Sequence, residues 1–538
     1  MESEEWRYGV AFGDGYKPRR DCFTLHTLIN EVRMKRELTI FFTSDIHGYF
    51  SPVDYAQNAR AAAGLANCAA NFTHDRSTLI LDGGDTLQGS PFTYWLYSRT
   101  EEKSRIPARA MNLAGYDFIT LGNHDFNYGT KELESYLDAL DAKCLCANVQ
   151  GLNHNARYAI KQLENGLRVG ICGITSQFVP NWEKPENIAG LTFSDAFETA
   201  RDVLAEMKKE KVDLTICLYH GGFERDTDTG AVLSETDENE GWRICRELDY
   251  DILLTGHQHM PFADKCVNGT WTCQPPDKAR QYIRMDVTVD DDGEITAHSK
   301  LCPAGDVTPE AFSEILEPLE KQVAAFIDTP LGHMDAALLP GEPLKRALNG
   351  SLIANFFNQV QLEASGADLS CTSLANTLRG FSENVTVRDV VASYVFPNTL
   401  KTIRVNRAIL TKALERSADY FAFDENGALT VSESFLRPIV QHYNYDFIAG
   451  VEATIDLRRT PGERVTSIRW QGRELPDDQS LTLCMNNYRA SGAGGYEFYR
   501  DCETVREQPE EVSELIIAYL DKHRNITVDK TKWLTILY

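Results

Sequence analysis

FITLGNHDFNYG, residues 118–129, runs from a short apolar stretch through a glycine into three polar side chains, Asn123, His124 and Asp125. A β-branched and aromatic run of this kind reads as a strand, and the loop behind a strand is where α/β folds gather functional groups. A second asparagine, Asn127, stands three residues past the histidine, where a carboxylate would make an obvious partner for it. Four other stretches repeat the arrangement. Asp45 and His47 follow LTIFFT, Asp82 and Asp85 end TLILD and its glycine turn, His220 ends LTICLYH, and His257 and His259 follow DILLTG.

Between these strands lie helix-like segments such as SDAFETARDVLAEMKKEK, and that alternation argues an α/β layer architecture. ENGLRV and VDDDGEI read as hairpin turns, so the sheets are expected to be mixed. A chain of 538 residues suits two domains. The boundaries read as an unassigned N-terminal extension over 1–37, a first domain over 38–305, a linker over 306–338 and a second, smaller α/β domain over 339–538. The linker holds a helix that starts at Thr308–Pro309. Phe312, Ile315, Leu316, Leu319, Val323 and Phe326 recur along it at helical spacing, with a kink expected at Pro318.

Composition narrows the partners. Net charge is −25, which repels nucleic-acid polymers and anionic membrane surfaces at long range. A small anionic substrate stays compatible, because bound cations reverse the field locally. No apolar run approaches the ~18 residues of a membrane span, and the N-terminus lacks the core of a signal peptide. The 13 cysteines are scattered, mostly in apolar runs such as VGICGIT, as expected of reduced thiols in a cytoplasmic protein.

Imidazole nitrogen and carboxylate oxygen suit Mn, Zn, Fe or Co, and one carboxylate can bridge two such ions ~3.5–4 Å apart. A lone D-x-H arises by chance. Five ligand-bearing strand ends in one domain do not, because buried polar groups without a task are costly.

The order D-x-H, G-D, G-N-H-[DE], H, G-H-x-H resembles the calcineurin-like metallophosphoesterases. DGGDTLQGSP, GNHDFNYG, TGHQH and the late NNYRASGAGGYEF resemble the 5′-nucleotidase family, over nearly all of the chain from Leu38 to Tyr538. The resemblance implies a four-layer α/β/β/α metallophosphoesterase domain joined by a helix to a smaller α/β nucleotide-binding domain. It implies two divalent metal ions, one held by Asp45, His47, Asp85 and His259, the other by Asp85, Asn123, His220 and His257. His124 would face the substrate, with Asp125 and Asn127 orienting it. Purple acid phosphatases carry a tyrosine three residues past the bridging aspartate; Gln88 stands there, which favours redox-inert ions.

For the second domain, the resemblance implies a nucleobase sandwiched between two aromatic rings. Tyr496 is expected to be one, with Phe447 or Tyr445 as its partner, and Asn487, Arg489 and Arg379 as polar contacts. Many 5′-nucleotidases read GNHEFD, in which the aspartate pairs with the histidine. The 2′,3′-cyclic-nucleotide 2′-phosphodiesterase/3′-nucleotidase branch reads GNHEFNYG. The expected activity is therefore hydrolysis of 2′,3′-cyclic nucleotides and 3′-nucleotides. The alternatives are a 5′-nucleotidase or UDP-sugar hydrolase and, more remotely, a non-catalytic nucleotide sensor. Asn127→Asp is expected to raise the basicity of His124.

Overall fold

Arg36–Thr43 pairs antiparallel with Gln281–Val289 on one side and parallel with Thr78–Asp82 on the other. In this computed structural model, which describes residues 35–101, 103–233, 237–376, 378–396, 398–437, 440–508 and 510–538, that strand lies inside a seven-stranded mixed sheet. The expected extension therefore falls, up to residue 34, outside the described residues. Leu38, Ile40 and Phe42 point to one face of the strand and Phe41 to the other, the period of two that a strand buried on both faces requires.

A six-stranded sheet stacks on the first. It includes Arg168–Thr175, Leu214–His220 and Ile252–Thr255, all parallel, with antiparallel hairpin strands at both edges. Val169, Ile171, Ile216, Leu218 and Leu254 meet Leu38, Ile40, Phe42, Leu79 and Leu81 between the sheets. Each such fully buried aliphatic side chain contributes about 1.5–3 kcal/mol. The outer face of the second sheet is covered by the helix Ala196–Lys209, through Phe197, Ala200, Val203 and Met207. The outer face of the first is covered by the helices Pro91–Arg99, Arg105–Ala114 and Thr130–Ala139. This is the four-layer α/β/β/α architecture, and both hairpins fall at the expected turns.

The linker helix is Glu310–Ile327, with Pro309 as its N-cap and Pro318 inside. Phe312, Leu316 and Val323 are buried, and Ile315, Leu319 and Phe326 pack on them. Pro330–Met334 pairs with Asn384–Thr386 and Asn525–Ile526, so the second domain starts earlier than the expected residue 339. That domain holds a five-stranded sheet centred on Leu481–Asn486 and a four-stranded sheet around Val451–Asp456. The twelve described cysteines are free thiols, nine of them buried. Among the described residues no helix is long and apolar enough to cross a membrane.

Candidate active site

Five of the seven expected metal ligands sit in left-handed backbone: Asp45, His47, Asp85, His257 and His259 all have φ between 50° and 69°. Non-glycine residues in this region are strained and cluster at functional sites. The strain lets consecutive loops turn sharply off the strand ends and aim at one point. Glycine makes room there: a Cβ on Gly122 would lie 2.1 Å from Asp85 Oδ1, and one on Gly256 would lie 2.7 Å from Asp45 Oδ2.

The side chains converge as two groups, Asp45–His47–His259 and Asp85–His220–His257. Asp85 Oδ2 stands between them, 3.2 Å from His220 Nε2 and 3.9 Å from His47 Nε2. Asn123 Oδ1 joins the second group, 2.9 Å from His257 Nδ1 and 3.2 Å from His220 Nε2. Three of the rings are anchored by their far nitrogens. His47 Nδ1 donates to the Gln88 carbonyl (2.9 Å), His220 Nδ1 to that of Gly83 (2.7 Å), and His257 Nε2 to the Glu238 carboxylate (3.0 Å). Such contacts set the tautomer and leave the inward nitrogen as a ligand atom.

Asp45 and Asp85 are fully buried, and among the described residues the imidazoles are what compensates their charge. Burial would lower the pKa of His220, but the Asp85 carboxylate prevails and pushes it up to about 10. Protons thus do the work that dications do better. The donor set, its convergence and the oriented far nitrogens fit a pair of divalent ions.

His124 lies at the rim of the group, its ring 5.2 Å from that of His47 and its backbone N–H on Asp85 Oδ1 (2.7 Å). Its Nδ1 meets Asn127 Oδ1 at 2.8 Å. Asp125 does not touch that imidazole. Its carboxylate accepts from the backbone N–H groups of Asp85, Thr86, Leu87 and Gly122, at 2.8–3.0 Å, and so ties two ligand loops together. Burial, then the Asp85 charge, push the Asp125 carboxyl up to about 6.

The second domain corrects several expectations. Tyr496 is fully buried: Arg489 lies over its ring at 4.2 Å, Tyr499 stacks on it at 5.7 Å, and its hydroxyl bonds Ser417 and the Asn444 carbonyl. Neither face of that ring is open to a base. Tyr445 is buried too, donating to the Ala347 carbonyl at 3.0 Å. Arg489 is a buried staple of the NNYRASGAGG turn, bonded to Asp446 (2.9 Å) and to the Tyr443 carbonyl (3.0 Å). Arg379 lies exposed at the domain seam, 3.8 Å from Asp389 and 3.5 Å from the Ala56 carbonyl. Phe447 is half-buried against Tyr445, and Asn487 is exposed.

The open rings are others. Tyr488 is 44% exposed, and Tyr443 and Phe396 are half-buried with ring centroids 6.2 Å apart. Burial, and after it the neighbouring Tyr488, push the Tyr443 hydroxyl above its usual range, which sets the two residues close together. Both belong to stretches read as substrate-binding, within a few positions of the residues chosen. Glu238 and Glu183, the latter bonded to Asn127, carry no signal in the sequence.

A family model for calcineurin-like phosphoesterases matches residues 38–261, and a model for the 5′-nucleotidase C-terminal domain matches residues 330–501. A Staphylococcus aureus protein of known crystal structure, described as a 5′-nucleotidase, is 34% identical with a TM-score of 0.69, over 93% of this chain and 100% of that one. A 2′,3′-cyclic-nucleotide 2′-phosphodiesterase/3′-nucleotidase of Haemophilus influenzae is 24% identical over 90% of this chain and 84% of its own length. The trifunctional nucleotide phosphoesterase YfkN of Bacillus subtilis is 23% identical over 91% of this chain, which spans only 38% of that protein.

Proposed function

Since the chain belongs to the calcineurin-like phosphoesterases that carry a 5′-nucleotidase C-terminal domain, we propose that it hydrolyses 2′,3′-cyclic nucleotides to 3′-nucleotides and 3′-nucleotides to nucleosides. One observation carries the choice of branch: the residue on His124 Nδ1 is Asn127, at 2.8 Å, and not an aspartate. Relatives from Haemophilus, Yersinia and Salmonella, aligned over 90–91% of this chain, bear the cyclic phosphodiesterase name.

In this reading Asp45, His47, Asp85 and His259 hold one divalent ion, and Asp85, Asn123, His220 and His257 the other, both from the Mn, Zn, Co or Fe class. What such ions supply when bound is positive charge at the phosphoryl oxygens and a water acidic enough to ionise near neutral pH. His124, held through Nδ1–H, presents Nε2 to the substrate; as the imidazolium it passes the Nε2 proton to the departing sugar oxygen and is left as the neutral Nδ1–H ring. Tyr443 and Tyr488 take the role expected of Tyr496 and Tyr445, because a ring must have a free face to stack on a base.

The test is a steady-state comparison of 2′,3′-cyclic AMP, 3′-AMP and 5′-AMP with Mn²⁺. The first two should give the higher kcat/KM; a clear preference for 5′-AMP overturns the assignment.

A further inference from the structure

Asn127 is not the end of the chain of contacts behind His124. Its Nδ2 donates to Glu183 Oε2 at 2.5 Å, and Glu183 is a buried residue at the end of the short helix Val179–Trp182. The other carboxylate oxygen, Oε1, accepts from the Lys184 backbone N–H (2.7 Å) and from Asn187 Nδ2 (2.8 Å). Asn187 Nδ2 also reaches the Asn127 carbonyl (2.8 Å), and its own carbonyl receives Thr130 N–H (2.9 Å). Three N–H donors thus hold one buried carboxylate in a single orientation.

A carboxylate accepts and cannot donate, so only the NH₂ end of the Asn127 amide can face it. That leaves Oδ1 for His124 Nδ1, which must then carry a hydrogen. We infer that Glu183 is a positioning residue for the phosphoesterase reaction: by dictating which way Asn127 points, it keeps a hydrogen on His124 Nδ1, so that Nε2, turned toward the substrate, is the nitrogen that takes up and gives off the transferred proton. The carboxylate that the loop lacks beside His124 is present one hydrogen bond further out. The inference rests on the role proposed above for His124.

Glu183→Gln tests it without removing bulk. The single oxygen of glutamine is needed by Lys184 N–H and Asn187, so its NH₂ faces Asn127 and turns that amide over. His124 Nδ1 then meets an NH₂ and must become an acceptor. We expect kcat to fall about 10- to 100-fold with KM within about twofold, while the melting temperature and bound-metal stoichiometry stay at wild-type values. Asn127→Asp should be impaired as well, since it sets two buried carboxylates against each other. Asn127→Asp with Glu183→Gln should recover most of the lost kcat, because the NH₂ of the introduced glutamine can donate to the new carboxylate, which in turn accepts from Nδ1–H. A second readout is independent of turnover: the Nδ1–H resonance of His124 in ¹⁵N-histidine-labelled, metal-free protein, assigned with His124→Ala, should be lost in Glu183→Gln and return in the double variant. A double variant no better than Asn127→Asp, or an unchanged Nδ1–H resonance in Glu183→Gln, overturns the inference. Failure of the functional reading is distinct: wild-type protein would turn over no nucleotide while the resonance still followed the Glu183→Gln substitution.

Discussion

Asp125 binds four backbone N–H groups with two oxygens, Asp85 and Gly122 on Oδ2, Thr86 and Leu87 on Oδ1. An amide has one acceptor oxygen and would aim its own N–H at the other two donors. Asp125→Asn should therefore cost about 2–4 kcal/mol in the metal-free protein, read as a fall in melting temperature; an unchanged melting temperature would show that the loops do not need this clamp. Glu238 acts at one ligand only. Its carboxylate, half-buried and held below the usual range by the bond from His257, orients that ring from behind. Glu238→Ala should weaken one of the two ion sites about 10- to 100-fold in a calorimetric titration and leave its neighbour alone. Equal weakening of both sites would count against a contact this local.

At the scale of elements, strand ends are legible in the sequence and loop interiors are not. Each ligand loop is announced by an apolar run and a glycine, because the backbone must turn within van der Waals contact of a carboxylate, as Gly122 does beside Asp85. Nothing comparable marks Glu183 or Glu238, which reach the site from segments with no period and no neighbouring signal. The aromatic pair fails for another reason: HYNYDF and NNYRASGAGGYEF both alternate inward and outward rings, and an offset of a few residues exchanges a core tyrosine for an open one. The linker is readable, since its apolar positions form a helical stripe, but its half-buried acid carries a consequence the pattern hides. Glu320 accepts from Tyr55 OH at 2.9 Å, and burial outweighs that bond, pushing the carboxyl from 4.5 up to about 7. A raised acid is favoured while protonated, so its contribution is intact below pH 4.5 and is lost as pH climbs through 7. Glu320→Gln keeps the acceptor without the charge. It should match wild type near pH 4.5 and gain up to about 3 kcal/mol over it by about pH 8; a stability difference that does not change with pH would contradict this.

The whole molecule is tied together more firmly than two domains and a linker suggest. One apolar cluster runs without a break from Phe92 and Leu96 of the first domain through Phe312, Leu316 and Val323 of the linker to Phe356, Val512 and Ile516 of the second. Polar ties flank it: Lys184 pairs with Glu510 at 3.3 Å, and Arg388 sits at the three-way junction. Its guanidinium bonds the Tyr55 carbonyl of the first domain and both oxygens of Asp328 at the end of the linker, from a helix, Val387–Ser393, in the second domain. Domains with separate cores commonly unfold as separate units, whereas a shared core makes them lose structure together. The intact chain should accordingly give a single calorimetric transition. Arg388→Ala leaves a buried carbonyl without its donor and frees one wall of the junction, at a cost of about 1–3 kcal/mol that falls on the seam and on neither domain alone. The transition should then split, the domain with the weaker remaining core melting first. A variant that still melts in one step at the wild-type temperature would mean that the apolar cluster alone couples the domains and that the arginine is incidental to it.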